Sequence, residues 1–297
     1  MTVAALGRLG AALMLALGLV ACTADESPVP EPAGTEFPNW PESLQDLRFR
    51  WTAEPGIDLL TGPAVPLRAY LESHRIGDMT GNAEDAYPGF TRAVPHPGKP
   101  RDVSRSNLPK ELWGIQPASS PFGLGAGYPP HTRFYGNEYF HVLELSPVAG
   151  GYRAYVCDGQ YRIFHENEST NTFEPIYPSW VTDVADFNAV DVWRVEFTDH
   201  PPPPTPDAPP MVATDQKGPN PAPLGDVFGP WHISGANVTG FWGPSGSGSY
   251  DGWKQRKQLC RDRMPHTEAE RHGIYSSKLD APPSTEPAVP GWPDNAL

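Results

Sequence analysis

Histidines, cysteines and one serine-glycine loop are the residues of this 297-residue chain whose types are suited to chemistry. A nucleophilic serine of the hydrolase kind sits in G-x-S-x-G, at a sharp turn between strand and helix that exposes its hydroxyl. The loop GPSGSG at 243–248 departs from that pattern, because with Ser245 as nucleophile the second glycine position holds Ser247. It reads as a glycine-serine loop without catalysis. A helical zinc site asks for H-E-x-x-H; none of the nine histidines lies in one, and His266 and His272 are not spaced to share a helical face. The sequence therefore suggests neither a metal nor a cofactor. His141 is the exception among the histidines. In EYFHVLEL it alternates onto one strand face with Tyr139, where an imidazole serves either as a general base or as a polar group of a ligand site. Tyr155 and Trp193 fall in neighbouring strand-like runs, so Tyr139, His141, Tyr155 and Trp193 are the candidate binding residues if that face lines a hollow. The simpler reading is that these rings pack the core of a sheet protein and that His141 is a satisfied interior histidine.

The elements that must position these residues follow from periodicity. GPAVPLRAYLESHRIGD has Leu67, Tyr70, Leu71 and His74 at helical spacing, a proline near its start, and Arg75 then Gly77 to end it. Residues 77–137 are rich in glycine, proline and asparagine and read as loop. Strands are expected at 138–145, with Tyr139, His141, Leu143 and Leu145 on one face, and at 152–157. Asp158-Gly159 would turn the chain back through QYRIFH, completing a meander. A helix at 180–187, a strand at 190–198 and one or two more within 231–242 come next. HPPPPTPDAPP cannot pair in a sheet. WKQRKQLCRDRMP reads as a basic helix carrying Cys260, and Thr267 with Glu270 forms a capping box for a last helix ending at Gly273. The fold class is α+β: a curved antiparallel sheet of four to six strands, one main helix and short closing helices. This order resembles the cone-shaped NTF2-like fold, a resemblance of element order alone that implies a concave sheet over residues 50–275.

The first twenty-two residues carry a second resemblance. Arg8 precedes an apolar stretch from Leu9 to Val20, a length suited to an export signal and short of the ~20 residues of a membrane span. Leu19-Val20-Ala21-Cys22 resembles the lipobox of bacterial lipoproteins of the actinobacterial type. The resemblance implies a diacylglycerol on the Cys22 thiol, cleavage just before it, and attachment to the outer side of the cell membrane. Cleavage as a plain secretory signal, with Cys22 incidental, is the alternative. If Cys22 is lipidated, Cys157 and Cys260 remain, and an even remainder in an exported chain suggests one disulfide.

The expected organisation is thus a signal peptide at 1–21, the lipidated cysteine with a proline-rich linker at 22–46, a single domain at 47–275 and a proline-rich tail at 276–297. A net charge of -13 argues against nucleic-acid binding, since phosphates would be repelled. The basic run Lys254, Arg256, Lys257, Arg261 and Arg263 reads as a solvated helix face paired with nearby carboxylates, anionic lipid being the alternative partner. The expected role is a membrane-tethered module for a small apolar ligand or an envelope protein. An exported enzyme using His141 and a purely structural envelope protein are the alternatives.

Overall fold

The strand expected at 138–145 is the middle of a longer one, β2, Phe134–Val148. It belongs to a computed structural model that describes residues 37–95, 108–117, 128, 131–176, 189–200, 209–244 and 247–295. Cys22, the stretch expected as an export signal, the expected linker as far as residue 36 and the helix expected at 180–187 lie outside the described residues.

Among the described residues six strands form one mixed sheet: β1 (Asp46–Ala53), β2, β3 (Gly151–Asn167), β4 (Thr172–Pro175), β5 (Val190–Thr198) and β6 (His232–Asn237). Their order is β1-β2-β3-β5-β6, with β4 on β3. All pairings are antiparallel except β1 with β2, which is parallel, so the expected all-antiparallel sheet is corrected to a mixed one. The extra strand is DLRFRWTA, whose Leu47, Phe49 and Trp51 alternate into the core. The α+β class stands.

Two expected boundaries also move. Asp158-Gly159 is not a turn. Asp158 pairs with Phe140 and Asp191, and Gly159 with Tyr139 and Val190, so β3 runs straight through both. The Asp158 side chain is drawn inward by Arg75, and a Cβ at Gly159 would come within 2.5 Å of the Met264 sulfur. Here glycine permits close packing and does not reverse the chain. Likewise Gly77 lies inside α1 (Ala64–Thr80), where a Cβ would meet Pro117 at 2.6 Å. The helix instead ends at Gly81, whose φ of 68° is the left-handed cap.

The two faces of the sheet carry separate cores. On one, α1 packs Leu67, Tyr70, Leu71 and Ile76 with Phe49, Trp51, Phe140, Val142, Val156, Trp193 and Val195. On the other, α3 (Trp253–Arg263) and α4 (Glu268–Tyr275) cover Tyr139, Cys157, Tyr161, Val190 and Val192. A register shift between Val142 and Glu144 moves Leu145 to the α1 side, away from Leu143, with which strict alternation would group it. The Thr267–Glu270 capping box forms, and α4 runs past Gly273 to Tyr275. Among the described residues of the 77–137 stretch there are three short helical turns, Ala83–Asp85, α2 (Phe90–Ala93) and Lys110–Leu112. Of 231–242 only β6 is a strand.

The described part of the expected extended tail, 276–295, packs back onto the body, bonding to Phe173, β1 and Asn220. Trp292 is buried among the core residues beside α1, and Val289 bridges to Arg50 on the outer edge of β1. Burying one large indole stabilises a fold by roughly 2–3 kcal/mol, which explains why a proline-rich segment stays attached.

Candidate functional site

The four residues singled out by the sequence are divided between the two sheet faces. Trp193 lies on the α1 side, 5% exposed, edge-on to His74 at 5.0 Å, with its indole N–H donated to Asp158 at 3.0 Å. Tyr139, Tyr155 and His141 belong to the other side. The Tyr139 ring stacks on Tyr161 at 5.5 Å, and its hydroxyl donates to Glu286 (3.2 Å) while accepting from Arg162 (3.1 Å). The Arg256 guanidinium covers the Tyr155 ring at 3.7 Å. Each ring is engaged by protein groups.

His141 sits where β1 and β2 run parallel, opposite Thr52. Its Nδ1 is 2.8 Å from the Thr52 hydroxyl. Its Nε2 stops 3.5 Å from the Glu54 carboxylate, longer than a good hydrogen bond. Glu54 in turn accepts from Arg263 at the end of α3, which closes the cluster from outside. The Thr52 hydroxyl either donates to Nδ1 or accepts from it while donating to the Phe140 carbonyl (3.4 Å), so the contact fixes the position of the ring and is compatible with both tautomers. The ring is only 7% exposed. Burial holds the His141 pKa below its ordinary value, Glu54 opposing this and Arg263 reinforcing it. Sequence reasoning missed Thr52 of β1 and Glu54 just after it because this stretch reads only as the start of the domain.

His165, His232 and His266 are also held low, by burial first in each case. Their sign is the same. The unfolded chain, with histidines near ~6.5, binds more protons than the folded one below that pH, so stability falls as pH drops through ~6.5. Melting temperature should fall between pH 7.5 and 5.5, and His141→Asn should reduce the fall. A pH-independent melting temperature would contradict this.

A second cluster was invisible in the sequence. Arg75 of α1 donates to both Glu138 oxygens (2.8 and 3.0 Å) and to Asp158 (2.8 Å), and both carboxyl groups are fully buried. Burial pushes Glu138 well above the usual carboxylate range, the neighbouring Asp158 adding to the shift and Arg75 opposing it. A third network surrounds Glu72, which accepts from Trp51 (2.7 Å), Tyr87 (2.8 Å) and Trp292 (2.8 Å). Both are closed to solvent and serve to fix α1 between the sheet and the loops.

Cys157 of β3 and Cys260 of α3 form a disulfide. The basic residues of α3 largely meet carboxylates: Arg256 pairs with Glu144 (3.3 Å), Lys257 with Asp191 (2.8 Å) and Arg263 with Glu54. Among the described residues no three His, Cys, Asp or Glu side chains stand together as a metal site, and no helix is long and apolar enough to cross a membrane. A groove of about 570 Å³ is bordered by Met211, Val212, Asp215, Lys217, Asp226 and Asn295. None of the four residues expected at a ligand site lines it. Comparison with protein-family models, curated proteins and solved structures finds no match to the chain.

Proposed function

We propose that this chain is a non-enzymatic lipoprotein of the bacterial cell envelope, a folded module held on the outer side of the membrane by lipid on Cys22. The observation that carries the reading is the run from Arg8 through the apolar Leu9–Val20 stretch into Leu19-Val20-Ala21-Cys22, followed by a proline-rich linker. Two or three acyl chains, at ~0.8 kcal/mol per buried methylene, would hold such a chain firmly. The Cys157–Cys260 disulfide fits an oxidising, extracytoplasmic compartment. In this reading the module works by display. The linker sets its reach, and its surface meets an envelope protein or a small apolar ligand.

The enzyme reading rests on His141 and its neighbour Glu54. It is less well supported, because Thr52, Glu54 and Arg263 enclose the imidazole and the nearby rings are occupied. A purely structural envelope role remains the third reading.

Changing Cys22 to Ala tests the proposal. The wild-type chain should fractionate with membranes and the variant should appear in the soluble extracytoplasmic fraction. Identical fractionation of the two would refute the tether.

A further inference from the structure

The C-terminal segment 284–292 lies across the edge of the sheet much as a bound peptide lies in a groove. The Asn137 side-chain amide reads the backbone of Glu286 in both directions, donating to its carbonyl (2.9 Å) and accepting from its N–H (2.9 Å). The Glu286 carboxylate is held between two guanidinium groups, Arg162 at 2.6 Å and Arg50 at 3.3 Å, with the Tyr139 hydroxyl donating as well. Three residues on, Val289 exchanges backbone hydrogen bonds with β1, accepting from the Trp51 N–H and donating to the Phe49 carbonyl. Three residues further, Trp292 enters a buried socket. Its indole donates to Glu72 (2.8 Å), and the Arg68 guanidinium lies 4.2 Å over its ring. An anionic anchor, a strand-pairing residue and an aromatic anchor are the parts by which a sheet edge captures an extended peptide.

Between these anchors the segment is not a core element. Val289 is 42% exposed, Pro287 is exposed, and Asp280, Ala281 and Pro282 before it are exposed too. The chain is tied to the body at Leu279, which exchanges backbone hydrogen bonds with Phe173, and again at its far end, where Pro290 accepts from Arg68 (2.7 Å), Trp292 exchanges backbone hydrogen bonds with Asn220 and Pro293 accepts from the Asn220 side chain (3.0 Å), so departure of the segment from Asp280 onward would release all of the latter.

We propose that this groove, built from β1, Asn137, Tyr139 and Arg162, is a peptide-docking site, and that its occupant in trans is the 284–292 segment of a second copy of this chain. Release and mutual exchange of the two segments gives a reciprocal dimer in which every anchor is remade, so the exchange costs only what the hinge and the association require. The hinge from Asp280 to Pro283 is short, which brings the two bodies close. Copies gathered on one membrane surface would meet at high effective concentration. That favourable setting leans on the proposed tether, whereas the groove itself does not.

Cysteine crosslinking between full chains tests the proposal. Arg50 and Val289 are paired across the β1 edge. One chain carries Arg50→Cys, a second carries Val289→Cys, and a third carries both as the control for closure within one chain. Each single variant alone sets the background. Under mild oxidation the mixed chains should yield a covalent dimer above that background. A synthetic peptide of residues 283–295 should suppress it, and the same peptide with Glu286→Ala and Trp292→Ala should need at least tenfold more. Closure of the double variant within one chain, with no dimer from the mixture, overturns the proposal. So does failure of both, since the segment would then not lie on β1. Running the set with and without Cys22→Ala separates this result from the fate of the tether.

Discussion

Replacing Arg75 with alanine should destabilise the protein by about 3–5 kcal/mol, the usual cost of removing one partner from a buried ion pair. For a body of this size that is a fall in melting temperature on the order of 10 °C. Removal of the guanidinium leaves Glu138 and Asp158, both fully buried, facing each other without a cation. Trp193 still donates to Asp158, and so does Gln160, but neither brings a charge. The double variant Arg75→Ala, Glu138→Gln should recover part of the loss, because one of the two stranded carboxyls becomes a neutral amide. A loss below about 1 kcal/mol for Arg75→Ala would mean that water or a proton already satisfies the two acids, and the reading of α1 as clamped through this charge would fail.

The second large effect is expected from the disulfide. Cys157 and Cys260 are 103 residues apart. A closed loop near that length restricts the unfolded chain by up to ~4.7 kcal/mol in the chain-entropy treatment, and loss of native disulfides from small secreted domains typically costs ~2–5 kcal/mol. Here the loss should be local as well as global, since Cys260 is the single fully buried residue of α3. The double variant Cys157→Ala, Cys260→Ala should melt lower and should show faster amide exchange across 253–263 than across β2 and β3. Unchanged exchange in α3 would show that the pairs Arg256–Glu144, Lys257–Asp191 and Arg263–Glu54 hold the helix without the sulfur link.

Much of the fold was legible where local chemistry decides it. The capping box at Thr267 and Glu270 is a reciprocal hydrogen bond between residues three apart, so it can be read without knowing the fold. The α1 start, the central part of β2 and β5 follow from periodicity. The pairing of Cys157 with Cys260 followed from counting. What the sequence hid was set by distant partners. Asp158-Gly159 has the composition of a turn, yet Arg75, 83 residues away, and Met264 keep it in a strand. Gly77 resembles a helix stop, but the approach of Pro117 is what requires it. β1 alternates well but pairs in parallel with a strand that begins more than eighty residues later, and no local signal marks such a partner. The proline-rich composition of the tail marks it only as extended. Its Trp292 and Glu286 find sockets made by α1, β1, β2 and β3, none of them near in sequence.

The candidate site was legible only in part. His141 was singled out, but its environment comes from Thr52 on β1, Glu54 just beyond it and Arg263 on α3, and that environment closes the ring in. The aromatic candidates lie on three strands and divide between the faces, Tyr139 and Tyr155 on the α3 side and Trp193 on the α1 side. Register shifts and the two cores, not composition, decide where each ring points.

The tether is the claim on which location and role depend, and the mass of the mature chain tests it most directly. Protein purified from its native membranes should begin at residue 22 and should carry the added mass of a diacylglycerol on that cysteine. A chain with a free thiol at Cys22, or one whose first residue lies elsewhere, would contradict the account.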